Sequence, residues 1–285
     1  MMGGHNTTKE TTMPAVRLMT DHPGWVRDGA EVRRAVTDGR SVSVLTAGGH
    51  GDVLDLRVDS VQGRGAATVV EEFDPAALSG PDSLVSPLKH AGVVVRVANP
   101  SLWDAIATAI VRQVIRAATA RALYRSFGRA TGAVVDDGGA ALMWAPAPEV
   151  VLRMSDSEFA DLRMTFQRKK LVAAAAAFLE HGERWSMLRR TAEQRAELVE
   201  ALVSVPGIGA WTAGAAVADY TNDFGLYPFS DLAVRTWAAR MAPELGWPDT
   251  EPEFAAVWRE IAGEQLSQWT LLTLAWGGTY VEQRL

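Results

Sequence analysis

Residues 202–213 read LVSVPGIGAWTA, and this stretch carries the strongest structural signal in the chain. An apolar segment runs into a turn of four residues, Pro206, Gly207, Ile208 and Gly209, and a second helix-forming segment follows at once. Two glycines around one aliphatic residue allow a tight turn with exposed backbone N–H groups. Together with the positive end of the next helix, these groups can hold a phosphate. The pattern predicts two helices joined by a hairpin over about 196–220, although an ordinary helix–helix turn has the same composition.

The second signal is an aspartate downstream of this turn. Residues 227–237 read YPFSDLAVRTW, and Asp231 follows Gly209 by 22 positions. An aspartate at the start of an apolar helix is typical of an N-cap, a role that Ser230 could share. Taken alone, Asp231 therefore fits a structural role as well as a chemical one.

The composition is that of a folded protein, with 48% hydrophobic and 22% charged residues among 285. The 28 Lys and Arg are outnumbered by 34 Asp and Glu, which gives a net charge of -6. Such acidity disfavours a nucleic-acid partner, because duplex binding depends on neutralised phosphates. The basic residues are nevertheless gathered in two stretches, Arg112, Arg116, Arg121, Arg125 and Arg129, and Arg163, Arg168, Lys169 and Lys170. The first series could face phosphate or form a solvated helix face.

The chain contains no cysteine, which excludes disulfides, zinc–thiolate sites, cysteine nucleophiles and iron–sulfur clusters. Its five histidines show no metal-ligand spacing. The first residues lack the apolar core of a secretory signal, and no apolar run approaches the roughly 20 residues that a membrane span requires. We therefore expect a cytoplasmic protein that makes no membrane contact.

The residue pattern predicts an α+β chain in three parts. Residues 1–13 are polar and are expected to be disordered. Residues 14–95 alternate in the manner of strands between glycine-rich turns, and a helix is expected near Gly29–Asp38. After Pro100 the spacing becomes helical, so 96–285 is expected to be all-helical.

The hairpin and Asp231 together resemble the helix-hairpin-helix DNA glycosylase superfamily, and in particular its 3-methyladenine DNA glycosylase II branch. Residues 103–115, WDAIATAIVRQVI, resemble the early helix of this family and the glutamine-containing turn after it. Residues 166–171, FQRKKL, and the segment from Trp269 to Trp276 are similar to later helices of the family. The resemblance covers about 95–280. It implies that 96–285 is a glycosylase core with an extra β-rich domain before it.

The resemblance also implies roles for individual residues. Asp231 occupies the place of the catalytic aspartate, which would stabilise positive charge on the sugar and activate a water. Gln113 and Val114 occupy the places of residues that enter the gap left by a flipped base. DNA contacts are expected from Arg112, Gln113, Val114, Pro206, Gly207, Ile208, Gly209, Thr212 and Arg235. For Arg235, pairing with a core acid is an equal alternative. The carbonyls of Val205 and Ile208 could hold a structural Na⁺ or K⁺, and no other cofactor is expected.

The same resemblance implies a monofunctional enzyme of base excision repair. Relatives that also cut the backbone carry a lysine shortly after the hairpin glycines, where this chain has Ala210, Trp211 and Thr212. Trp211 and Trp276 are the aromatic residues expected to stack on an extruded base, or else to be core tryptophans. Ala215 and Leu232 stand where relatives often place pocket aromatics. A roomier pocket is therefore expected, for a larger adduct or a range of N-alkylated purines.

The expected partner is double-stranded DNA that contains a damaged base, bound by a monomer. Two other classes of protein stay open at this point. A noncatalytic helix-hairpin-helix DNA-binding protein would keep Asp231 as a cap only. An all-helical regulator without DNA affinity would account for the net acidity of the chain.

Overall fold

The computed structural model describes residues 15–50, 53–136 and 138–282. The segment predicted to be disordered, 1–13, lies outside this range. The first part of the chain forms seven strands and one helix: β1 (Val16–Leu18), β2 (Val26–Asp28), β3 (Glu31–Thr37), β4 (Val42–His50), β5 (Val53–Gln62), β6 (Val70–Phe73), α1 (Asp82–Ala91) and β7 (Val93–Val97).

These strands form two sheets. Strands β2 to β5 are consecutive antiparallel neighbours, and β7 lies between β1, to which it is parallel, and β6, to which it is antiparallel. The helix predicted near Gly29–Asp38 is wrong, because this segment is the turn after β2 followed by β3. Gly29 adopts a φ of 60°, which suits a tight turn, and β-branched Val32 and Val36 favour the extended backbone after it.

The rest of the chain is mainly helical. Its helices are α2 (Leu102–Arg112), α3 (Ala117–Ala130), α4 (Pro148–Arg153), α5 (Asp156–Asp161), α6 (Thr165–Met187), α7 (Ala192–Val203), α8 (Ala210–Thr221), α9 (Leu232–Met241), α10 (Glu251–Ala262) and α11 (Leu266–Glu282). The α+β class is confirmed. No described helix combines the length and apolar character needed to cross a membrane.

The prediction that 96–285 is all-helical is wrong at one place. Two short strands, β8 (Val134–Val135) and β9 (Leu142–Met143), pair in antiparallel fashion between α3 and α4. Leu142 is fully buried with Ala35 of β3 and Val44 of β4. The segment is extended because it covers one face of the sheet formed by β2 to β5. The helical spacing in the sequence does not reveal this tertiary contact.

One hydrophobic core joins the two parts of the chain. Phe73, Leu84 and Val94 belong to the same buried cluster as Ile106 of α2 and Val217 of α8. The predicted boundary at residue 95 falls within β7. The β-rich part therefore packs directly on the helices.

Asp104 of α2 lies at the centre of a buried polar network between the sheet and the helices. Its Oδ1 accepts hydrogen bonds from the Tyr124 hydroxyl at 2.6 Å and from the Ala145 N–H at 2.8 Å. Its Oδ2 lies 2.7 Å from the Asn99 amide nitrogen and 3.0 Å from His22 Nε2. The guanidinium of Arg34, a side chain 1% exposed on β3, lies 3.5 Å from the same oxygen. The carboxylate is thus surrounded by donors from several segments.

The network continues to α8 through a second acid. Asn99 also donates to Asp219 at 2.9 Å, and buried Arg96 of β7 donates to Asp219 at 2.7 Å. Arg96 reaches Asp21 at 3.2 Å and the side-chain oxygen of Asn222 at 2.5 Å as well. These contacts attach the three-stranded sheet to the C-terminal end of α8.

Charge in this network follows from burial and hydrogen bonding. Burial, and then Arg34, lower the pKa of His22, whose Nδ1 accepts the Gly24 N–H at 3.0 Å. The proton of neutral His22 therefore resides on Nε2, which faces Asp104. Burial opposes the charge of Asp104, but contacts with His22, Arg34 and Tyr124 outweigh it and hold the pKa of Asp104 below its usual value.

We expect acid to destabilise the fold through His22 first. Because its pKa is lower in the folded chain than the usual 6.5, this contribution to stability is complete above that pH. It is lost as the pH falls through the folded value, whereas the carboxylates contribute losses only near pH 4 and below. The free energy of unfolding, measured by urea denaturation, should drop from about pH 7 to about pH 5.

A His22→Gln variant should be less stable at neutral pH and should show a much smaller drop. His181, whose side chain is 48% exposed, provides the matched control. A His181→Gln variant should keep the drop of the unsubstituted protein. If both variants keep it equally, His22 is not its source.

Candidate active site

The hairpin turn joins α7 to α8. Gly207 has a φ of 86°, which strains any residue with a side chain, and a Cβ there would lie 2.8 Å from Cγ of Lys170. Ile208 is 4% exposed and inserts into the core, whereas Pro206 and Gly209 are exposed. The turn therefore anchors itself by one side chain and presents its backbone to solvent.

Helix α8 begins at the edge of an open cleft. Gly209 is its N-cap residue, and no side chain caps this end. The first N–H groups of a helix have no partner within the helix, and the helix dipole makes this end positive. This end of α8 is suited to bind an anion such as a phosphate.

The cleft has a volume of about 890 Å³ and brings together four separate parts of the sequence. The end of α2 and the turn after it contribute one wall, the hairpin and the start of α8 a second, and the start of α9 a third, and Lys170 of α6 lies among them. Its lining residues are Arg112, Gln113, Val114, Ile115, Arg116, Lys170, Gly209, Trp211, Thr212, Asp231, Leu232, Ala233, Thr236 and Trp237. The structure thus places Asp231 and the hairpin at one surface.

Asp231 occupies the N-cap position of α9, but its side chain makes no capping hydrogen bond. Its Oδ2 instead accepts a hydrogen bond from the Tyr227 hydroxyl at 3.1 Å. Its backbone N–H donates to the carbonyl of Pro228 at 2.8 Å, which fixes the loop. The carboxylate is half-buried at the cleft. Asp231 is therefore not held in place by capping the helix that it begins.

The turn after α2 sends one side chain inward and the next one outward. Gln113 is 9% exposed, donates to the Thr212 hydroxyl and accepts from the Lys170 ammonium. Val114 is 91% exposed and has a φ of 59°. A β-branched residue in this left-handed region is strained. Of the two residues predicted to enter the DNA, Val114 protrudes and Gln113 ties the turn to α8 and α6.

Positive charge dominates the lining of the cleft. Arg112 is half-buried, Arg116 is exposed, and the ammonium of Lys170 lies 4.0 Å from the centre of the Phe166 ring. Among the described residues that line the cleft, Asp231 is the acidic one. The local charge is thus opposite in sign to the net charge of the chain.

The aromatic lining differs in part from the sequence prediction. Trp211 lines the cleft, whereas Trp276 is absent from the lining and packs edge-on against Trp237, with ring centres 6.3 Å apart. Trp237 does line the cleft, although the sequence pattern predicts no role for it. A Cβ at Gly277 would overlap its indole, so this glycine allows the ring to lie against α11. The helical spacing of Ala233 and Trp237 could have indicated their shared face.

Three further residues with predicted roles differ in their positions relative to the cleft. Arg235 donates to the backbone carbonyl of Asp249, is not among the described residues that line the cleft, and forms no ion pair with a described acid. Ala215 is 7% exposed within α8, and Leu232 is 68% exposed at the cleft.

The described residues contain no group of three His, Asp or Glu side chains that could hold a metal ion. The carbonyl of Val205 accepts the N–H of Ile208 at 3.0 Å. Binding of Na⁺ or K⁺ by the carbonyls of Val205 and Ile208 stays a prediction.

The strain at Val114 leads to a testable expectation. A Val114→Gly substitution relieves a backbone strain of about 1–3 kcal/mol, against roughly 0.5–1 kcal/mol for the added freedom of glycine in the unfolded chain. We expect the free energy of unfolding in urea to rise by about 1 kcal/mol.

The matched control is Val203→Gly at the end of α7. Val203 is 43% exposed but helical, so the same substitution should lower stability there. Equal losses in both variants would contradict strain in the turn after α2.

Comparison with known proteins agrees with this architecture. No protein-family model matches the chain. A DNA-3-methyladenine glycosylase of Bacillus subtilis (strain 168) is 25% identical over 138 residues. The matched region spans 47% of this chain and 44% of that protein, so less than half of the relative is covered.

Solved structures match over nearly the whole chain. A 3-methyladenine DNA glycosylase from Archaeoglobus fulgidus has a TM-score of 0.66 at 20% identity, over 90% of this chain and 91% of that chain. An 8-oxoguanine glycosylase/lyase from Clostridium acetobutylicum, solved in complex with double-stranded DNA, has a TM-score of 0.66 at 14% identity, over 93% and 90%. The resemblance predicted from the sequence is confirmed, and the chain has the fold of the helix-hairpin-helix DNA glycosylases.

Proposed function

We propose that this protein is a monofunctional DNA glycosylase that hydrolyses the N-glycosidic bond of a damaged base in duplex DNA. The observation that carries the proposal is the position of Asp231. Its carboxylate makes no capping bond and lies at a cation-lined cleft beside the hairpin. A purely structural N-cap would direct its side chain to the N–H groups of its own helix.

The proposed chemistry uses this carboxylate directly. Cleavage of an N-glycosidic bond builds positive charge on the sugar, and a fixed anion beside the anomeric carbon stabilises that charge. The other task is to orient or deprotonate the attacking water. Asp231 is suited to both, because one oxygen accepts the Tyr227 hydroxyl and the other is left for the substrate side.

The surroundings of Asp231 support binding of a DNA backbone with an extruded base. The uncapped start of α8 can accept a phosphate, and Arg112, Arg116 and Lys170 supply positive charge. Val114 projects at the mouth of the cleft, where it could fill the space that a flipped base leaves in the stack. In this arrangement the hydrogen bonds of Gln113 to Thr212 and Lys170 hold the turn that carries Val114.

An N-alkylated purine is the substrate class that the cleft favours. Trp211 and Trp237 both line the cleft, but the guanidinium of Arg240 lies over the Trp237 ring, 5.0 Å from its centre. Trp211 is therefore the aromatic residue proposed to attract a positively charged alkylated base. The relative from Bacillus subtilis and the protein from Archaeoglobus fulgidus are both described as 3-methyladenine glycosylases. Leu232 lines the cleft, in keeping with the roomier pocket inferred from the sequence, whereas Ala215 is buried within α8 outside the lining.

Replacing Asp231 tests the proposal. An Asp231→Asn variant keeps the size of the side chain but removes its charge, so base release should fall by at least about 100-fold. The assay incubates a panel of alkylated duplexes with the protein, then cleaves abasic sites by hot alkali. Affinity for a duplex with an abasic-site analogue should be unchanged or higher, since a negative charge has left the cleft.

Asp249→Asn serves as the control, because Asp249 is exposed and lies outside the cleft. This variant should release bases at the unsubstituted rate. Base release by the Asp231 variant equal to that of the control would refute the proposed role of the carboxylate, and DNA binding without base release by the unsubstituted protein would favour a noncatalytic DNA-binding protein.

The absence of lyase chemistry can be tested separately. Lys170 is the lysine among the cleft-lining residues, but its ammonium donates to Gln113 and lies over Phe166. An amine engaged in this way is not poised to attack the sugar and form a Schiff base. Borohydride should therefore trap no covalent complex with DNA, in the unsubstituted protein or in Lys170→Gln. An adduct lost only in the lysine variant would instead assign lyase activity to Lys170.

A further inference from the structure

The hydrogen bond between Tyr227 and Asp231 has a role that goes beyond the proposed function, on which this inference rests. The Tyr227 hydroxyl lies 3.1 Å from Oδ2 of Asp231, four residues further along the chain. The Tyr227 side chain is 6% exposed and does not line the cleft. It therefore reaches the carboxylate from the protein interior, on the side away from a bound substrate.

The protonation of Tyr227 suits a permanent donor. Burial raises the pKa of its hydroxyl well above the usual value, and the nearby charge of Asp231 adds to this effect against the opposing charge of Arg112. The hydroxyl keeps its proton across the physiological range. An ionised Asp231 can only accept, so the direction of the hydrogen bond is defined.

The Tyr227 ring is itself held from the sheet side of the molecule. It stacks on Phe224, with ring centres 5.7 Å apart and planes inclined by 25°. The guanidinium of Arg96 lies over the Phe224 ring, 4.9 Å from its centre. Arg96 is in turn fixed by Asp219, a buried residue of α8. A chain of contacts thus runs from strand β7 to the carboxylate.

The backbone around Tyr227 is equally constrained. A Cβ at Gly214 of α8 would overlap the carbonyl oxygen of Leu226 and would lie 3.3 Å from Pro228. This glycine lets the loop that carries Tyr227 lie directly on α8, the helix that begins at the hairpin. The hydroxyl, the hairpin and the carboxylate are therefore held in one rigid frame.

We propose that Tyr227 is a positioning residue for the glycosylase reaction. Its hydroxyl occupies one oxygen of Asp231 and so restricts rotation of the carboxylate, which leaves the second oxygen directed at the anomeric carbon and the water. Without this bond, Asp231 is free to turn toward the unpaired N–H groups at the start of α9 and to act as an ordinary cap. Tyr227 thus prevents Asp231, which occupies the N-cap position of α9, from capping that helix with its side chain.

The test is a Tyr227→Phe variant, which removes the hydroxyl and keeps the ring that stacks on Phe224. The rate of base release under single-turnover conditions with saturating protein should fall by roughly tenfold or more, as expected for loss of a hydrogen bond to a charged group. The Kd for a duplex with an abasic-site analogue should not change, because the hydroxyl does not face the DNA. A loss confined to the rate separates positioning from a general structural role.

Tyr220→Phe is the matched control. Tyr220 is 3% exposed, and its hydroxyl donates to the carbonyl of Ser186 at 2.9 Å, at the opposite end of α8 from the hairpin. Both variants lose one buried hydroxyl and should lose comparable stability in urea, but Tyr220→Phe should keep the rate.

Equal rates in Tyr227→Phe and the unsubstituted protein would overturn the positioning role, as would equal losses of rate in both tyrosine variants. The failure of the proposed function is distinguishable, since in that case either the unsubstituted protein releases no base or the Asp231→Asn variant releases it at the full rate. If Asp231→Asn is inactive and Tyr227→Phe is fully active, only the positioning role fails.

Discussion

The fold depends on a buried carboxylate, Asp104. A charge removed from water is unfavourable unless hydrogen bonds and opposite charges compensate for it. Here the compensation comes from donors that lie far apart in the sequence: His22 before β2, Arg34 on β3, Asn99 after β7, and Tyr124 on α3. Each donor is useful only if the others are also in place, because a partly satisfied buried charge is worse than none. The network therefore fixes the sheet against α2 in one orientation, which nonpolar packing alone would specify less strictly.

That orientation extends to the cleft through two helices. Helix α2 begins near the network and ends at Arg112, so fixing Asp104 also fixes the turn that exposes Val114. Asn99 links Asp104 to Asp219 near the end of α8, whose other end is the hairpin. The C-terminal end of α2 and the N-terminal end of α8 thus line the cleft, and the opposite ends of these two helices meet in the buried network. The β-rich part has a structural role in the site even though none of its described residues lines the cleft.

The sequence predicted the features that depend on local chemistry. A turn with two glycines needs a positive φ at one of them, and Gly207 has it, so the hairpin is readable from residues 206–209 alone. The same holds for the start of a helix at Asp231. Long-range contacts could not be predicted from the sequence. Nothing near Arg34 indicates that its side chain is buried against an acid 70 residues away, and nothing near Arg96 indicates an acid 123 residues away. The unforeseen strands β8 and β9 share this origin, because Leu142 is buried against β3 and β4. The wrong helix near Gly29–Asp38 and the choice of Trp276 over Trp237 do not, because the turn at Gly29 and the helical spacing of Ala233 and Trp237 are local signals.

The net charge illustrates the same point in energetic terms. A chain with a charge of -6 is an unpromising ligand for a polyanion if its charges are spread evenly. They are not, because Arg34 and Arg96 are buried inside the protein, whereas Arg112, Arg116 and Lys170 line the cleft, where Asp231 is the one acid among the described lining residues. Such a cleft attracts phosphates at short range, where screening is weakest. Under the proposed function it also imposes a constraint on Asp231, whose carboxylate would have to face the sugar rather than pair with the cations of the cleft. A neutral donor such as the Tyr227 hydroxyl satisfies that constraint, since it holds the carboxylate without neutralising the negative charge on which the proposed chemistry depends.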